Sequence, residues 1–331
     1  MMVASYCENN EFCYFYSKMN TQDKKIYEKL LKGIKTFSNR ICVKSTTSEK
    51  IKHIYQQVLI DNPEIYYMDS ISYEYSPSFN YGIVFPKYRC GKSDYTNSLC
   101  KINSFLKPLI ENCYNKTDYE KELLVHDYIC KNIIYENNPT EYSYESVGPL
   151  LYGKGVCEGI SKAAKFIFDL VGLKSLIVHG IIKNEHGFEN HAWNIVQIND
   201  TFYHLDITFD ITINDFKTIR YDYFNLSTEK ISIDHYKFGN NIPYCYIYRD
   251  YYLENNLTMF TPNDLYNLLL NAITRKTTDV VFKVDTPKNV SEIIPQIVLV
   301  LKKVSEDFPN KMIKYKLQFN EKTKIFHLHL L

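Results

Sequence analysis

No CxxC pair, no long run of one charge sign and no apolar stretch fit to span a bilayer occurs in these 331 residues. Each absence removes a class of function. The nine cysteines, at 7, 13, 42, 90, 100, 113, 130, 157 and 245, are odd in number and unpaired in spacing. That argues against a disulfide framework and a zinc ribbon, and most are expected to be buried reduced thiols. Lys plus Arg, 39, against Asp plus Glu, 38, gives a formal charge of +1. Nothing in that balance steers the molecule to phosphate backbones or an anionic membrane, so neither nucleic acid nor membrane is an expected partner. The longest apolar runs, LIVHGII and IIPQIVLVL, fall short of a bilayer core of about 30 Å. The opening MMVASYCENNEFCYFYSKMN has no basic segment followed by an apolar one, and a cytoplasmic location is expected. Tryptophan occurs once, at 193, and the 30 tyrosines are scattered without a stacking pattern.

The sequence does hold enough apolar residues, 45%, for two or three compact units with real cores. Thr21 is placed to cap a helix over QDKKIYEKLLKGIKTF, and SEKIKHIYQQVLI repeats the helical period until Asp61-Asn62-Pro63 stops it. EIYYMDSISYEYS, aromatic and β-branched, reads as strand before Pro77. Thr117 and Glu120 form a capping box ahead of YEKELLVHDYICKNIIY. After the helix that begins near Cys157 and ends at Gly172, KSLIVHGIIK, HAWNIVQI and TFYHLDIT read as a strand meander, with Asn199-Asp200 as a hairpin turn. In the last stretch, Thr261 caps TPNDLYNLLLNAI with Pro262 in its first turn, DVVFKV is a strand, and SEIIPQIVLVLKKVSEDF is a helix that Pro295 should delay or kink. MIKYKLQF and KIFHLHL close a hairpin around Asn320. The fold class expected is α+β, with an α+β lead-in over 1–112, a core over 113–250 and a small α/β module over 255–331.

Chemistry concentrates in GKGVCEGISKAAKFIFDLVGL, residues 153–173. Cys157 opens an amphipathic helix whose free amides and dipole favour a thiolate. Gly153 and Gly155 permit a sharp approach, and Gly159 is expected to keep the first turn open to a substrate backbone. A buried structural thiol is the plain alternative. The hairpin HAWNIVQI-ND-TFYHLDIT tips the balance. Counting outward from its turn puts Asp206 opposite Trp193 and Thr208 opposite His191. His191 and Asp206 are then diagonal neighbours on one face, with Cβ atoms about 7 to 8 Å apart or less, near enough for imidazole and carboxylate to meet. A nucleophile, a base and an acid that orients the base are the parts of a catalytic triad. The same His and Asp could instead form a structural hydrogen bond, and no paired ligand spacing supports zinc.

These residues resemble a known family. GKGVCEGISKA, NHAWNIVQI and YHLDITFD are similar to the transglutaminase-like superfamily, whose core carries Cys, His and Asp in this order, and the likeness runs over residues 115–240. HDYICKNIIYENN and YDYFNLSTEKISIDH resemble the segments that flank that core, and DNPEIYYM resembles one found in bacterial members. The resemblance implies a papain-like core, a helix with an N-terminal Cys packed on an antiparallel sheet. In it Cys157 attacks a carboxamide carbon, His191 moves the proton and Asp206 orients the imidazole. The resulting thioester would pass to an amine or to water on protein or peptide substrates. A cysteine peptidase on the same fold and a non-catalytic binding scaffold remain as alternatives.

Two departures from the animal enzymes stand out: Glu158, not tryptophan, follows the cysteine, and no upstream tryptophan is available to hold an oxyanion. The Cys157 amide is the natural oxyanion donor, and Tyr152 is the side-chain candidate. Trp193 either walls the substrate slot or packs in the core. No acidic cluster for calcium is evident, so neither metal nor cofactor is expected. Glu158 reads as a partner for the helix dipole and Asp210 as lying past the strand end. His179, His186 and His204 rank below His191, while His53, His126, His235, His327 and His329 read as structural or surface groups.

Overall fold

The computed structural model describes residues 12–76, 78, 80–184, 187–213, 218–239, 241–308 and 314–331; Cys7, Pro77 and His186 lie outside them. The lead-in places helices α1 (Tyr14–Lys18), α2 (Thr21–Lys35) and α3 (Ser48–Asp61) beside strands β1 (Ile41–Lys44), β2 (Met68–Ser76) and β3 (Tyr81–Tyr88). The strands form an antiparallel sheet in the order β1-β3-β2. Asn20, not Thr21, caps α2, its side chain accepting from the amides of Gln22 and Asp23. An Asn one residue upstream reaches those free amides and takes the role. Helix α4 (Lys92–Cys113) was not expected from the sequence. Its Ser, Thr and Asn content and Pro108 hide a stripe of Ile102, Leu106, Leu109 and Cys113 that the fold buries.

Helix α5 (Asp118–Asn132) starts at the Thr117–Glu120 capping box. Strand β4 (Ile134–Tyr135), a 3-10 turn at Glu141–Tyr144, helix α6 (Val147–Tyr152) and strand β5 (Lys154–Gly155) lead to the central helix α7 (Cys157–Val171). β4 and β5 pair in parallel, so the chain returns beside itself just before Cys157. Ile160, Ala163, Ala164, Ile167 and Leu170 of α7 are buried, and the helix lies across β6 (Lys174–Asn184) and β7 (Gly187–Ile198). The Asn199-Asp200 turn joins β7 to β8 (Thr201–Leu205), with Ile198 opposite Thr201. Helices α8 (Ile207–Thr212) and α9 (Thr228–Ile231) precede β9 (His235–Tyr236), which completes the sheet order β8-β7-β6-β9.

After α10 (Tyr251–Glu254), strand β10 (Thr258–Met259), helix α11 (Pro262–Arg275), strand β11 (Asp279–Val284), helix α12 (Val290–Asp307) and the hairpin β12 (Tyr315–Asn320)–β13 (Ile325–Leu330) make a second four-stranded sheet, β10-β11-β13-β12. Helix α12 begins at Val290 with Asn289 and Glu292 as its capping box, so Pro295 does not delay it. This last region has its own apolar core of Leu265, Leu269, Phe282, Ile297, Val304 and Phe326. The core of the lead-in, by contrast, runs from Ile26 and Leu30 through Ile102 into Ile160, Ile167 and Leu205. The chain is thus an α+β protein whose middle carries a papain-like arrangement of helix on antiparallel sheet.

Candidate active site

Cys157 is the first residue of α7, and Val156 before it makes no side-chain cap. The first-turn amides are therefore left without a side-chain acceptor, which is where an anion gains from the helix dipole. Gly153 supports this geometry with φ of 69°, a conformation that ends α6 and turns the chain into β5. Gly159 acts otherwise than the sequence suggested. A Cβ there would overlap the Ser143 carbonyl oxygen and come within 3.1 Å of that of Glu145, so the glycine admits the protein's own backbone, not a substrate's.

His191 sits on β7 opposite Gly180 of β6. Its Nε2 lies 2.7 Å from Asp206 Oδ2. The strand expected over TFYHLDIT ends at Leu205, three residues short and just before Asp206. Pairing stops at Asn194–Leu205, and Asp206 becomes the N-cap of α8, its Oδ1 accepting from the Phe209 amide at 3.2 Å. Thr208 consequently lies in α8 and is not opposite His191. The imidazole and carboxylate still meet, because capping holds Asp206 at the strand end with its second oxygen turned to β7. The Cys157 side chain lies in the same cleft, near enough to act on this imidazole. With Nε2 committed to Asp206, Nδ1 is the nitrogen available to the thiol.

The electrostatics follow from this contact. Burial opposes charge on His191, but Asp206 and Cys157 outweigh it and hold the imidazole up at about 10. Burial likewise disfavours the Asp206 anion, yet His191 and His235 hold it well below the usual carboxylate range. Cys157, Glu158, His179, Asn190 and His191, together with Tyr135 and Tyr144, line a cleft of about 450 Å³. Glu158 accepts from His179 Nε2 at 2.6 Å and pairs with Lys162 at 3.2 Å. Burial works against its charge, and these two partners bring it down to about 2.

Two other candidates stand away from the cleft, Trp193 taking the core-packing alternative. Tyr152 is 56% exposed, packs against Tyr142 and is not among the lining residues of the cleft. Trp193 is 1% exposed and lies in a core with Leu176, Val178, Ile195 and Cys245, so it does not wall the slot. Its ring stacks behind His191 with centroids 6.0 Å apart, and its Nε1 donates to His204 Nδ1 at 3.0 Å. Burial, then the neighbouring His235, lowers His204 to about 3, so it stays neutral and accepts that bond. The thiols are also less buried than expected: Cys113 and Cys245 are buried, while Cys42 and Cys100 are exposed. Asp210 lies past the strand end as expected, buried in α8 against His126.

His235, expected from the sequence to be a structural or surface group, is buried beside the site. Its Nε2 lies 3.0 Å from Asp206 Oδ2 and its Nδ1 2.6 Å from Asp234 Oδ1. The segment YDYFNLSTEKISIDH that carries it was already a point of resemblance, but β9 is only two residues long and offers no period to read. The nitrogen and oxygen atoms of His191, Asp206 and His235 lie within 4.8 Å of one another, a donor set that suits a metal in type. Their separations of 2.7 and 3.0 Å are those of hydrogen bonds.

Residues 107–207 match the sequence model of the Transglutaminase-like superfamily. No curated protein gives a significant match. Among solved structures, a candidate cysteine protease from Cytophaga hutchinsonii is 15% identical with a TM-score of 0.28, covering 42% of this chain and 62% of that one. A structure named a TGase is 17% identical with a TM-score of 0.31, over 53% of this chain and 52% of its own. A candidate protease from Parabacteroides distasonis is 10% identical with a TM-score of 0.24, over 41% and 35%. The chain thus spans less than two thirds of the length of each. Among the described residues no helix is long and apolar enough to cross a membrane. Within this chain, the segment from 107 to 207 is similar to the core of the transglutaminase-like superfamily.

Proposed function

We propose that Cys157, His191 and Asp206 are the nucleophile, base and orienting acid of a thiol acyl-transfer enzyme acting on protein or peptide amides. The observation that carries this reading is the 2.7 Å contact between His191 and Asp206 beside a cysteine that opens α7 in the same cleft. The thiolate adds to the carboxamide carbon, and the oxyanion is received by the Cys157 amide at the helix end. His191 gives its proton to the departing nitrogen, leaving a thioester on Sγ. An amine or a water then gives its proton to His191 and attacks the thioester, and sulfur leaves. Asp206 keeps Nδ1 aimed at the thiol and balances the imidazolium. The same proposal assigns catalysis to residues 113–250, with 1–112 as lead-in and 255–331 as an added module.

Mass spectrometry of a mixed protein substrate incubated with a primary amine, beside Cys157→Ala, tests it. Amine adducts on glutamine indicate crosslinking chemistry, a gain of about one mass unit deamidation, and new termini a peptidase. Products that persist undiminished with Cys157→Ala contradict the proposal.

A further inference from the structure

Asp206 is shared. Its Oδ2 accepts from His191 at 2.7 Å and from His235 at 3.0 Å. His235 in turn meets Asp234 Oδ1 at 2.6 Å. Carboxylates that are ionised only accept, so a histidine bridging two of them donates from both nitrogens and is an imidazolium. Asp234 is itself held: Tyr223 Oη donates to its Oδ2 at 2.6 Å, and Lys322 Nζ reaches the same oxygen at 3.2 Å. Lys322 belongs to the turn between β12 and β13, in the C-terminal module, and also donates to the Lys183 carbonyl at 3.2 Å. Beside it, Asn320 and Thr323 donate to Asp222 at 3.1 and 3.3 Å. The hairpin turn is therefore seated against the back of the site by several polar contacts.

Resting on the triad reading above, we propose that His235 is a positioning residue for Asp206, and that Lys322 of the C-terminal module completes the chain Lys322–Asp234–His235–Asp206–His191–Cys157. Cations and anions alternate along this line. The groups facing His235 are Asp206, Asp234, the His191 ring at 5.5 Å, the Tyr223 ring at 5.7 Å, the Trp193 ring at 4.8 Å and the Phe209 ring at 5.0 Å. Burial disfavours its charge, and the two carboxylates raise it above the usual histidine range in spite of that. Removing a cation from this line leaves Asp206 less balanced, so His191 holds its proton more tightly and an anion on Cys157 costs more. The module thereby acts on reactivity without touching substrate.

The test is the pH profile of Cys157 carbamidomethylation by iodoacetamide on the full chain, for wild type, His235→Gln, Lys322→Met and Lys322→Arg. We expect the profile of His235→Gln to move about one pH unit upward. Lys322→Met should move it a few tenths in the same direction, because its side chain is 44% exposed and its charge is screened. Lys322→Arg should restore the wild-type profile. Folded variants, judged by near-ultraviolet circular dichroism, that keep the wild-type profile overturn the proposal. If His235→Gln fails to fold, an unshifted Lys322→Met overturns it alone. A wild-type Cys157 that labels no faster than Cys42 or Cys100 refutes instead the triad reading on which it stands.

Discussion

Asp206→Asn changes one oxygen to an amide nitrogen at nearly constant volume, and the site has no position for that nitrogen. Placed at Oδ1, the NH2 faces the Phe209 amide, which donates at 3.2 Å. Placed at Oδ2, it faces the two imidazole nitrogens at 2.7 and 3.0 Å. Either way a donor meets a donor, and the second orientation also forces His191 to carry its proton on Nδ1, where it can no longer accept from the thiol. Charge-assisted hydrogen bonds are worth about 1.5–3 kcal/mol each and a broken buried pair about 3–5, so we expect a stability loss of about 3 kcal/mol. Turnover, or in its place the alkylation rate of Cys157 at neutral pH, should fall about 10³-fold or more. The sign with pH follows from the shifts. His191, raised to about 10, contributes stability that is full below its unfolded value and is lost as pH rises through 10. Asp206, depressed, contributes stability that is full above its unfolded value and is lost on acidification. The difference between wild type and variant should therefore be largest between about pH 4 and 6.5. Urea unfolding across pH, with alkylation kinetics, reads both quantities. A stability difference independent of pH, with reactivity within about tenfold of wild type, would refute the reasoning.

Gly159→Ala should cost about 2–4 kcal/mol, since the new Cβ drives the Ser143 carbonyl away and breaks its bond from the Val156 amide at 3.0 Å; a melting temperature equal to wild type would contradict this. Glu122 is fully buried against Asn225, and burial first of all raises it to about 8. Its unfolded form ionises near 4.5, so wild-type stability should decline from there up to about pH 8. Glu122→Gln should remove that decline and raise the melting temperature at pH 9 but not at pH 4, and a variant less stable than wild type at pH 9 would refute this. Tyr152→Phe should leave stability within about 0.5 kcal/mol and Cys157 reactivity unchanged, whereas a marked loss of reactivity would restore Tyr152 as a site residue.

The positions proposed for the triad were legible because their signals are local. A glycine-flanked cysteine opens an amphipathic helix, and a two-residue turn fixes the register that brings His191 toward Asp206. The register held from Ile198–Thr201 to Asn194–Leu205; what it could not show is that Asp206 leaves the strand to cap α8, a choice made by the free amide of Phe209. The sequence left the positions of Tyr152 and Trp193 open for a different reason. Which side of a short helix, or which face of a strand buried on both sides, meets the cleft depends on layers packed from far along the chain, such as Tyr14 and Cys245 around Trp193. His235 and Lys322 were illegible for the same cause: one comes from a two-residue strand and the other from a hairpin turn more than 80 residues later, and only tertiary packing joins them to Asp206. Helix α4 was hidden by poor helix formers on its exposed side, with its buried stripe overruling propensity.

The most direct measurement is a competition among the cysteines of the folded protein, labelled with limiting iodoacetamide at about pH 6 and mapped by peptide mass spectrometry. Among the described residues Cys42 and Cys100 are the exposed thiols, and Cys157 is only partly exposed. We expect Cys157 to be labelled first in spite of that, and to lose its advantage in His191→Ala. Labelling that follows exposure, with Cys42 and Cys100 ahead of Cys157, would contradict the assignment of Cys157 as the nucleophile.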